Sequence, residues 1–155
     1  MPLLKGDECL DIARGTGVFT LGEIDVLRDV YRDYTDNPLT NYNIFYEFVG
    51  ESVVGFAIFG KTPLTEYGWD IYWIVVEKGF QGHGIGRKLL GSVESYINSK
   101  QEKAVMRVET SARMEYTHAR KLYTKQGFKQ VGIIPDFYSE GDDLIVFYKE
   151  TKKQI

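Results

Sequence analysis

The sequence has 155 residues, enough for one domain and too few for a second full hydrophobic core. Its content of 43% hydrophobic and 26% charged residues is ordinary for a globular protein, and no apolar run approaches the roughly 20 residues that span a bilayer. The net charge of −3 and the pI near 5.5 argue against a protein that binds nucleic acid through its phosphates.

The N-terminal segment lies outside the predicted core, which covers residues 18–150 of a single domain, 1–155. It lacks the long apolar stretch of a signal peptide. Its cysteine, Cys9, is the only one in the sequence, so it forms no internal disulfide, and no cluster of His and Cys residues accompanies it as zinc would require. We therefore expect a cytoplasmic protein without a metal site.

The first predicted helix runs from Thr20 to Tyr34, because apolar residues recur there at helical spacing and a Pro-containing turn follows. Three strands rich in aromatic and β-branched residues come next, at Tyr42–Val49, Val53–Phe59 and Trp69–Val76. The tripeptide 50–52 between the first two predicts a tight antiparallel hairpin.

Alternation along the third strand predicts which side chains share a face of the sheet. Asp70 is expected on the face of Tyr72, Ile74 and Val76, with Trp69, Ile71, Trp73 and Val75 on the opposite one. A carboxylate inside so apolar a strand is costly unless it is paired or functional, and Arg107 is a candidate partner.

The second half alternates helices and strands. Helices are predicted at Ile85–Ser99 and Glu115–Gln126, the latter ended by Gly127, and strands at Ala104–Glu109, Phe128–Ile134 and Leu144–Lys149. A strand, a helix and a further strand in succession predict a crossover and hence a parallel pair. The fold class is therefore α/β with a mixed sheet.

Three glycines, Gly82, Gly84 and Gly86, stand where the third strand gives way to a helix. Free N–H groups and the positive end of the helix dipole meet there, and Arg87 adds charge, so the segment predicts a cradle for a pyrophosphate. The dinucleotide-binding fingerprint does not fit because the third glycine comes one residue early, and the P-loop does not fit because Ile85 stands where lysine is required. A turn with strained glycines is the alternative.

The stretch Gln81–Gly86 matches the Gln/Arg-x-x-Gly-x-Gly/Ala signature of the GCN5-related N-acetyltransferases (GNAT). Residues 119–128, with Tyr123 four residues before a Gly-Phe pair, resemble a later helix of that family, and the predicted element order is similar over 18–150. The resemblance implies a single domain with a mixed, mostly antiparallel sheet that splays between the family's fourth and fifth strands, and helices on both faces.

The resemblance also implies acetyl-CoA as the donor. Its pyrophosphate is expected at Gln81, Gly82, His83, Gly84, Ile85, Gly86 and Arg87. Its pantetheine is expected to pair along Ile74, Val75 and Val76, with the Val76 N–H at the thioester oxygen. Tyr116 stands where the family often has an asparagine near the pantetheine, and its phenol would reach cofactor or substrate instead.

For catalysis, the resemblance implies that Tyr123 donates a proton to the CoA sulfur; spacing alone favours a core tyrosine. Asp70 and Glu109, on strands that border the expected cleft, are candidates for the general base, and a water chain is the alternative. Tyr72 and Tyr138 are expected to contact the acceptor. The rings of His83 and His118 are expected to face solvent, which suggests no metal site.

The function that follows is acetyl-CoA-dependent transfer to a primary amine of a small molecule or amino acid, by direct attack in a ternary complex. An acetyltransferase acting on a protein N-terminus or lysine, a non-catalytic CoA sensor and a nucleotide-binding protein using the same cradle are the alternatives. Family members often dimerise, so a homodimer stays open.

Overall fold

The computed structural model describes residues 2–153. Four helices occupy Pro2–Gly15 (α1), Leu21–Asp36 (α2), Ile85–Lys100 (α3) and Thr117–Lys125 (α4). Six strands occupy Asn43–Val49 (β1), Ser52–Lys61 (β2), Gly68–Val76 (β3), Lys103–Ser111 (β4), Lys129–Ser139 (β5) and Asp142–Lys152 (β6). They form one sheet in the order β1-β2-β3-β4-β6-β5. Within 2–153, no helix is both long and apolar enough to cross a membrane.

The N-terminal segment, to which the sequence pattern assigned no element, forms α1 and joins the core. Cys9 and Ala13 are fully buried in it. Small buried residues add little to an apolar pattern, and Gly6 weakens helix propensity. A Cβ on Gly6 would stand 2.7 Å from Cε1 of Tyr31, so the glycine allows α1 to lie close against α2.

Helix α2 begins with a capping box. The Thr20 hydroxyl accepts a hydrogen bond from the Glu23 N–H, and the Glu23 carboxylate accepts one from the Thr20 N–H. Its buried residues, Ile24, Leu27 and Tyr31, pack on the sheet, as the helical spacing predicted.

Helices cover both faces of the sheet, as predicted. On one face, α3 and α4 pack over a core that includes Phe59, Trp69 and Met106. On the other, α1 and α2 pack over a core that includes Phe56 and Ile58. Successive residues of β2 thus enter different cores, which is the period-two pattern of a strand buried on both faces.

Strand β3 contains a bulge that overturns the predicted alternation. Ile58 pairs with Trp73 and Phe59 with Ile71, so Tyr72 is an extra residue without a partner on β2. Trp69 and Ile71 belong to the α3 side and Trp73 and Val75 to the α1–α2 side, whereas simple alternation placed all four together. Correspondingly, Ile74 and Val76 contact the α3 side.

The parallel pair predicted from the crossover is confirmed, and it is short. Strand β3 pairs with β4 only from Gly68 to Asp70, opposite 105–107. Beyond that point β3 stays with β2 and β4 stays with β6. The sheet therefore opens into a wedge between 71–76 and 108–111, which is the splay expected from the resemblance.

Candidate active site

The wedge between β3 and β4 holds a cleft of about 1000 Å³. The N-terminal end of α2, the glycine segment, α4 and the end of β5 complete its walls. Most of the residues predicted for the site line it: Tyr72, Ile74, Val75, Val76, Gln81, Gly82, Gly84, Ile85, Gly86, Arg87, Glu109, Tyr116, Tyr123 and Tyr138. Asp70 and His83 do not.

The glycine segment takes a backbone path that needs glycine. Gly82 and Gly84 have φ values of 82° and 80°, in the left-handed region that other residues avoid. Gly84 is the N-cap of α3 and provides no side-chain cap, and the Lys88 N–H donates to its carbonyl at 3.0 Å. The N–H groups of the first turn, residues 85–87, therefore lack intrahelical partners and are free for an anion.

Two contacts fix this segment against its neighbours. The Gln81 side-chain Nε2 donates to the Val76 carbonyl at 3.2 Å and ties the loop to the end of β3. A Cβ on Gly86 would lie 2.8 Å from Leu122 Cδ2, so the absence of a side chain lets α4 pack against the first turn of α3. His83 is exposed outside the cleft, and His118 is exposed at its rim.

The edge of β3 that faces the wedge carries free backbone groups. The Glu77 N–H donates to the Val54 carbonyl on β2 at 2.8 Å. Because backbone groups alternate in direction along a strand, the N–H groups of Ile74 and Val76 point away from β2, toward the wedge. An extended ligand can therefore add to β3 as a further strand.

Tyr123 lies between α4 and the sheet with its side chain almost enclosed. It is 5% exposed, and its ring packs 5.9 Å from that of Phe128 and 5.7 Å from that of Phe147. Its hydroxyl makes no hydrogen bond to any other part of the described chain. Burial raises the pKa of the Tyr123 phenol, so the group keeps its proton at neutral pH.

The two candidate carboxylates occupy different surroundings. Asp70 is 8% exposed and accepts hydrogen bonds from Arg107 Nε at 2.7 Å and Thr62 Oγ1 at 2.6 Å. It stands where the two strands part, outside the cleft. Glu109 lines the cleft, and its nearest cation is Arg107 Nε at 3.8 Å. Of these two carboxylates, only Glu109 lines the cleft.

A charged network at the far end of the cleft was not found from the sequence. Tyr116 donates to the Glu23 carboxylate, and burial followed by this hydrogen bond raises the pKa of Tyr116. Arg113 Nη2 donates to Glu23 Oε1 at 3.0 Å, and Arg113 Nε lies 3.5 Å from Asp142 Oδ2. The Thr-x-x-Glu capping signature was visible and marked Glu23, but nothing in it indicated the distant Arg113.

Aromatic side chains wall this end. Phe19 packs on Trp73 at 5.0 Å and edge-on to Tyr116 at 6.0 Å, and Tyr72 packs edge-on to Tyr42 at 5.4 Å. The hydrogen bond from Tyr116 to Glu23 thus lies beside this group of aromatic rings. In residues 2–153, no group of His, Cys, Asp and Glu side chains is arranged to hold a metal ion.

Comparison with known proteins identifies one family. Residues 40–130 match the family model of the acetyltransferase (GNAT) domain. The N-alpha-acetyltransferase RimI of Mycobacterium tuberculosis is 32% identical over 92 residues, which are 57% of this chain and 53% of that protein. The uncharacterized protein ML0378 of Mycobacterium leprae is 28% identical over 123 residues, 76% of this chain and 32% of that protein. The chain thus spans about a third to a half of the length of these relatives.

A crystal structure of a GNAT-family acetyltransferase from Desulfovibrio desulfuricans superimposes with a TM-score of 0.86 at 28% sequence identity. The match covers 95% of this chain and 92% of that one. The similarity therefore includes α1 and both halves of the sheet.

Proposed function

The chain belongs to the GNAT family of acetyltransferases, and from this premise we propose that it transfers the acetyl group of acetyl-CoA to a primary amine of a small molecule or amino acid, with both substrates bound together. One observation carries the proposal. The wedge brings free helix amides, a free strand edge and the unpartnered hydroxyl of Tyr123 into a single cleft.

The residues at one end of the cleft fit the diphosphate of the donor. The amides of 85–87 lack partners, and Gly82 and Gly84 leave open space where a Cβ would stand. Arg87 and Lys121 line the same end and supply positive charge. Ile74 and Val76 would pair with the pantetheine, and the Val76 N–H would stabilise negative charge on the thioester oxygen.

Amine acetylation requires three proton movements. An alkyl ammonium has a pKa near 10.4, so its deprotonation costs roughly 4.6 kcal/mol at pH 7. Glu109 would accept this proton, directly or through water, before the neutral nitrogen bonds to the carbonyl carbon. Tyr123 would give its proton to the sulfur as the carbon–sulfur bond breaks, and the proton that the nitrogen loses on becoming an amide would restore the phenol. Asp70, which accepts hydrogen bonds from Arg107 and Thr62, would have a structural role and stabilise the point where β3 and β4 separate.

The donor is tested by thermal unfolding with acetyl-CoA, CoA, ATP or NAD. We expect Tm to rise with the first two and not with the others, and release of free thiol from acetyl-CoA in the presence of amines. A rise with ATP or NAD and none with CoA would refute the proposal.

A protein N-terminus or lysine is the second candidate acceptor. The 32% identity to RimI over 92 residues favours it, since that relative is an N-alpha-acetyltransferase. Short peptides with free or blocked N-termini, assayed beside free amino acids and amines, separate the two candidates. Faster thiol release with unblocked peptides than with any free amine would select the protein acceptor.

A further inference from the structure

The acceptor half of the cleft carries more carboxylates than cations. Glu23 on α2, Glu109 on β4 and Asp142 on β6 all line it. Arg113 lines the same half and is shared between Glu23 and Asp142, at 3.0 and 3.5 Å. With three carboxylates and one guanidinium, these four residues carry a net charge of −2.

The cations behind this half do not neutralise it. Arg107 is bound to Asp70 at 2.7 Å and reaches Glu109 only at 3.8 Å. Arg120 donates to the carbonyls of Ser111 and Arg113, at 2.6 and 2.9 Å, and is not among the lining residues.

Tyr138 lines the same cleft as the three carboxylates. Burial raises the pKa of the Tyr138 phenol, and the charges of Glu109, Asp142 and Glu23 raise it further. A group at the position of this phenol therefore feels all three negative charges. The opposite end of the cleft is cationic, with Arg87, Lys121 and Lys125 among the lining residues that flank the glycine segment.

One observation independent of the carboxylates indicates that this cleft receives a ligand. Tyr123 lines the cleft, is only 5% exposed, and its hydroxyl has no hydrogen-bond partner within the described chain.

A negative site does not help the amine that reacts. It stabilises the ammonium form, whereas attack on a thioester requires the neutral amine, so for a monoamine Glu23 and Asp142, which are not assigned as base, would oppose the reaction. They assist it if they hold a different positive charge of the same molecule. Resting on the proposed function, we propose that the acceptor is a diamine or polyamine, one ammonium of which is held by Glu23 and Asp142 while Glu109 accepts the proton of another amine, which is acetylated.

The test uses acceptors matched in chain length: an α,ω-diaminoalkane, the corresponding 1-aminoalkane and the corresponding ω-amino acid. Thiol release from acetyl-CoA is followed at low and high salt. We expect kcat/KM to be about 10-fold or more higher for the diamine than for the monoamine, lowest for the amino acid, and the advantage to shrink with salt.

The diamine-to-monoamine ratio is then measured in Glu23→Gln and Asp142→Asn, with Glu51→Gln in the exposed β1–β2 hairpin as control. We expect the ratio to fall about 5-fold or more in the first two and to stay unchanged in the third. Glu109 is intact in all three variants, so its role as base is the same for both acceptors.

Equal rates for diamine and monoamine, or a ratio that Glu23→Gln and Asp142→Asn leave unchanged, would overturn the inference while leaving the acetyltransferase proposal intact. If no acceptor releases thiol, the proposed function fails. Calorimetry on the CoA-loaded protein then decides the inference, and diamine binding no tighter than monoamine binding overturns it.

Discussion

The phenol of Tyr123 presents a sharp chemical test because its hydroxyl is not needed for the fold. Its ring packs on Phe128 and Phe147, and Tyr123→Phe preserves those contacts. We predict that this variant keeps the wild-type Tm and loses about 10²-fold or more in kcat, the range for a lost general acid. Thermal unfolding and thiol-release kinetics measure the two effects.

Tyr96→Phe is the matched control, since Tyr96 packs in the same core and its hydroxyl bonds to Asn43 at 3.4 Å, away from the cleft. Its kcat should match that of the wild type. A Tyr123→Phe enzyme of full activity would remove the phenol from the mechanism.

The left-handed backbone at Gly84 makes a second prediction at this scale. Ala at φ 80° is strained by roughly 1 kcal/mol, and relief of the strain would turn the amides of the first turn of α3. We predict that Gly84→Ala weakens CoA binding about 10-fold or more, as measured by calorimetry. Gly50→Ala carries a similar strain at φ 61°, in a hairpin outside the cleft, and should lower Tm without changing CoA affinity.

Among the elements, the junction of β3 and β4 depends on few contacts. Three residue pairs join the strands, and Asp70 closes the last pair by bonding Arg107. We predict that Asp70→Asn lowers the free energy of unfolding by about 1–2 kcal/mol, because a buried charge-assisted hydrogen bond is lost. The pH profile of kcat should keep its shape, since Asp70 lies outside the cleft. Loss of the acidic limb of the kcat profile in this variant, the limb that a general base sets, would identify Asp70 as the base.

Regular elements were predictable wherever their period was undisturbed. The spacing of α2 and α3 and the β-branched runs of β2 and β3 gave their positions to within a few residues. Helix α1 was not predictable, because its buried face is made partly of Cys9 and Ala13. The bulge was not predictable either: an extra residue in a strand leaves no trace in a run that is apolar on both faces.

For the molecule as a whole, buried phenols limit the alkaline range of stability. Burial raises the pKa values of Tyr31, Tyr46, Tyr116 and Tyr123 above that of an unfolded tyrosine. Below pH 10 these phenols are neutral in both the folded and the unfolded state, so their contribution to the free energy of unfolding does not change with pH. Above pH 10 the unfolded chain ionises and the folded one resists, so the free energy of unfolding falls, by about 1.4 kcal/mol per pH unit for each such group.

Urea unfolding at pH 8, 10 and 11 measures this slope, and Tyr123→Phe should reduce it by about one group's share. A free energy of unfolding that stays constant from pH 9 to pH 11 would contradict the prediction.

The two halves of the cleft differ in how far they could be predicted. The donor half depends on a local stretch, 81–87, whose glycines and helix start are adjacent in sequence. The acceptor half joins Glu23, Arg113 and Asp142, which come from three separate segments. Their proximity arises only from packing, and no spacing in the sequence encodes it.

Because of the extra residue in β3, the apolar side chains before it and those after it enter the hydrophobic cores on opposite faces of the sheet. If position 72 were deleted, the indole of Trp73 and the side chain of Val75 would be thrown toward α3, and Ile74 and Val76 toward α2. The backbone groups of the last residues of the strand would exchange edges as well. The N–H groups that now face the wedge would then form hydrogen bonds with β2 and would not be available to a ligand. The one extra residue in β3 thus determines both which core each side chain enters and which backbone N–H groups face the wedge.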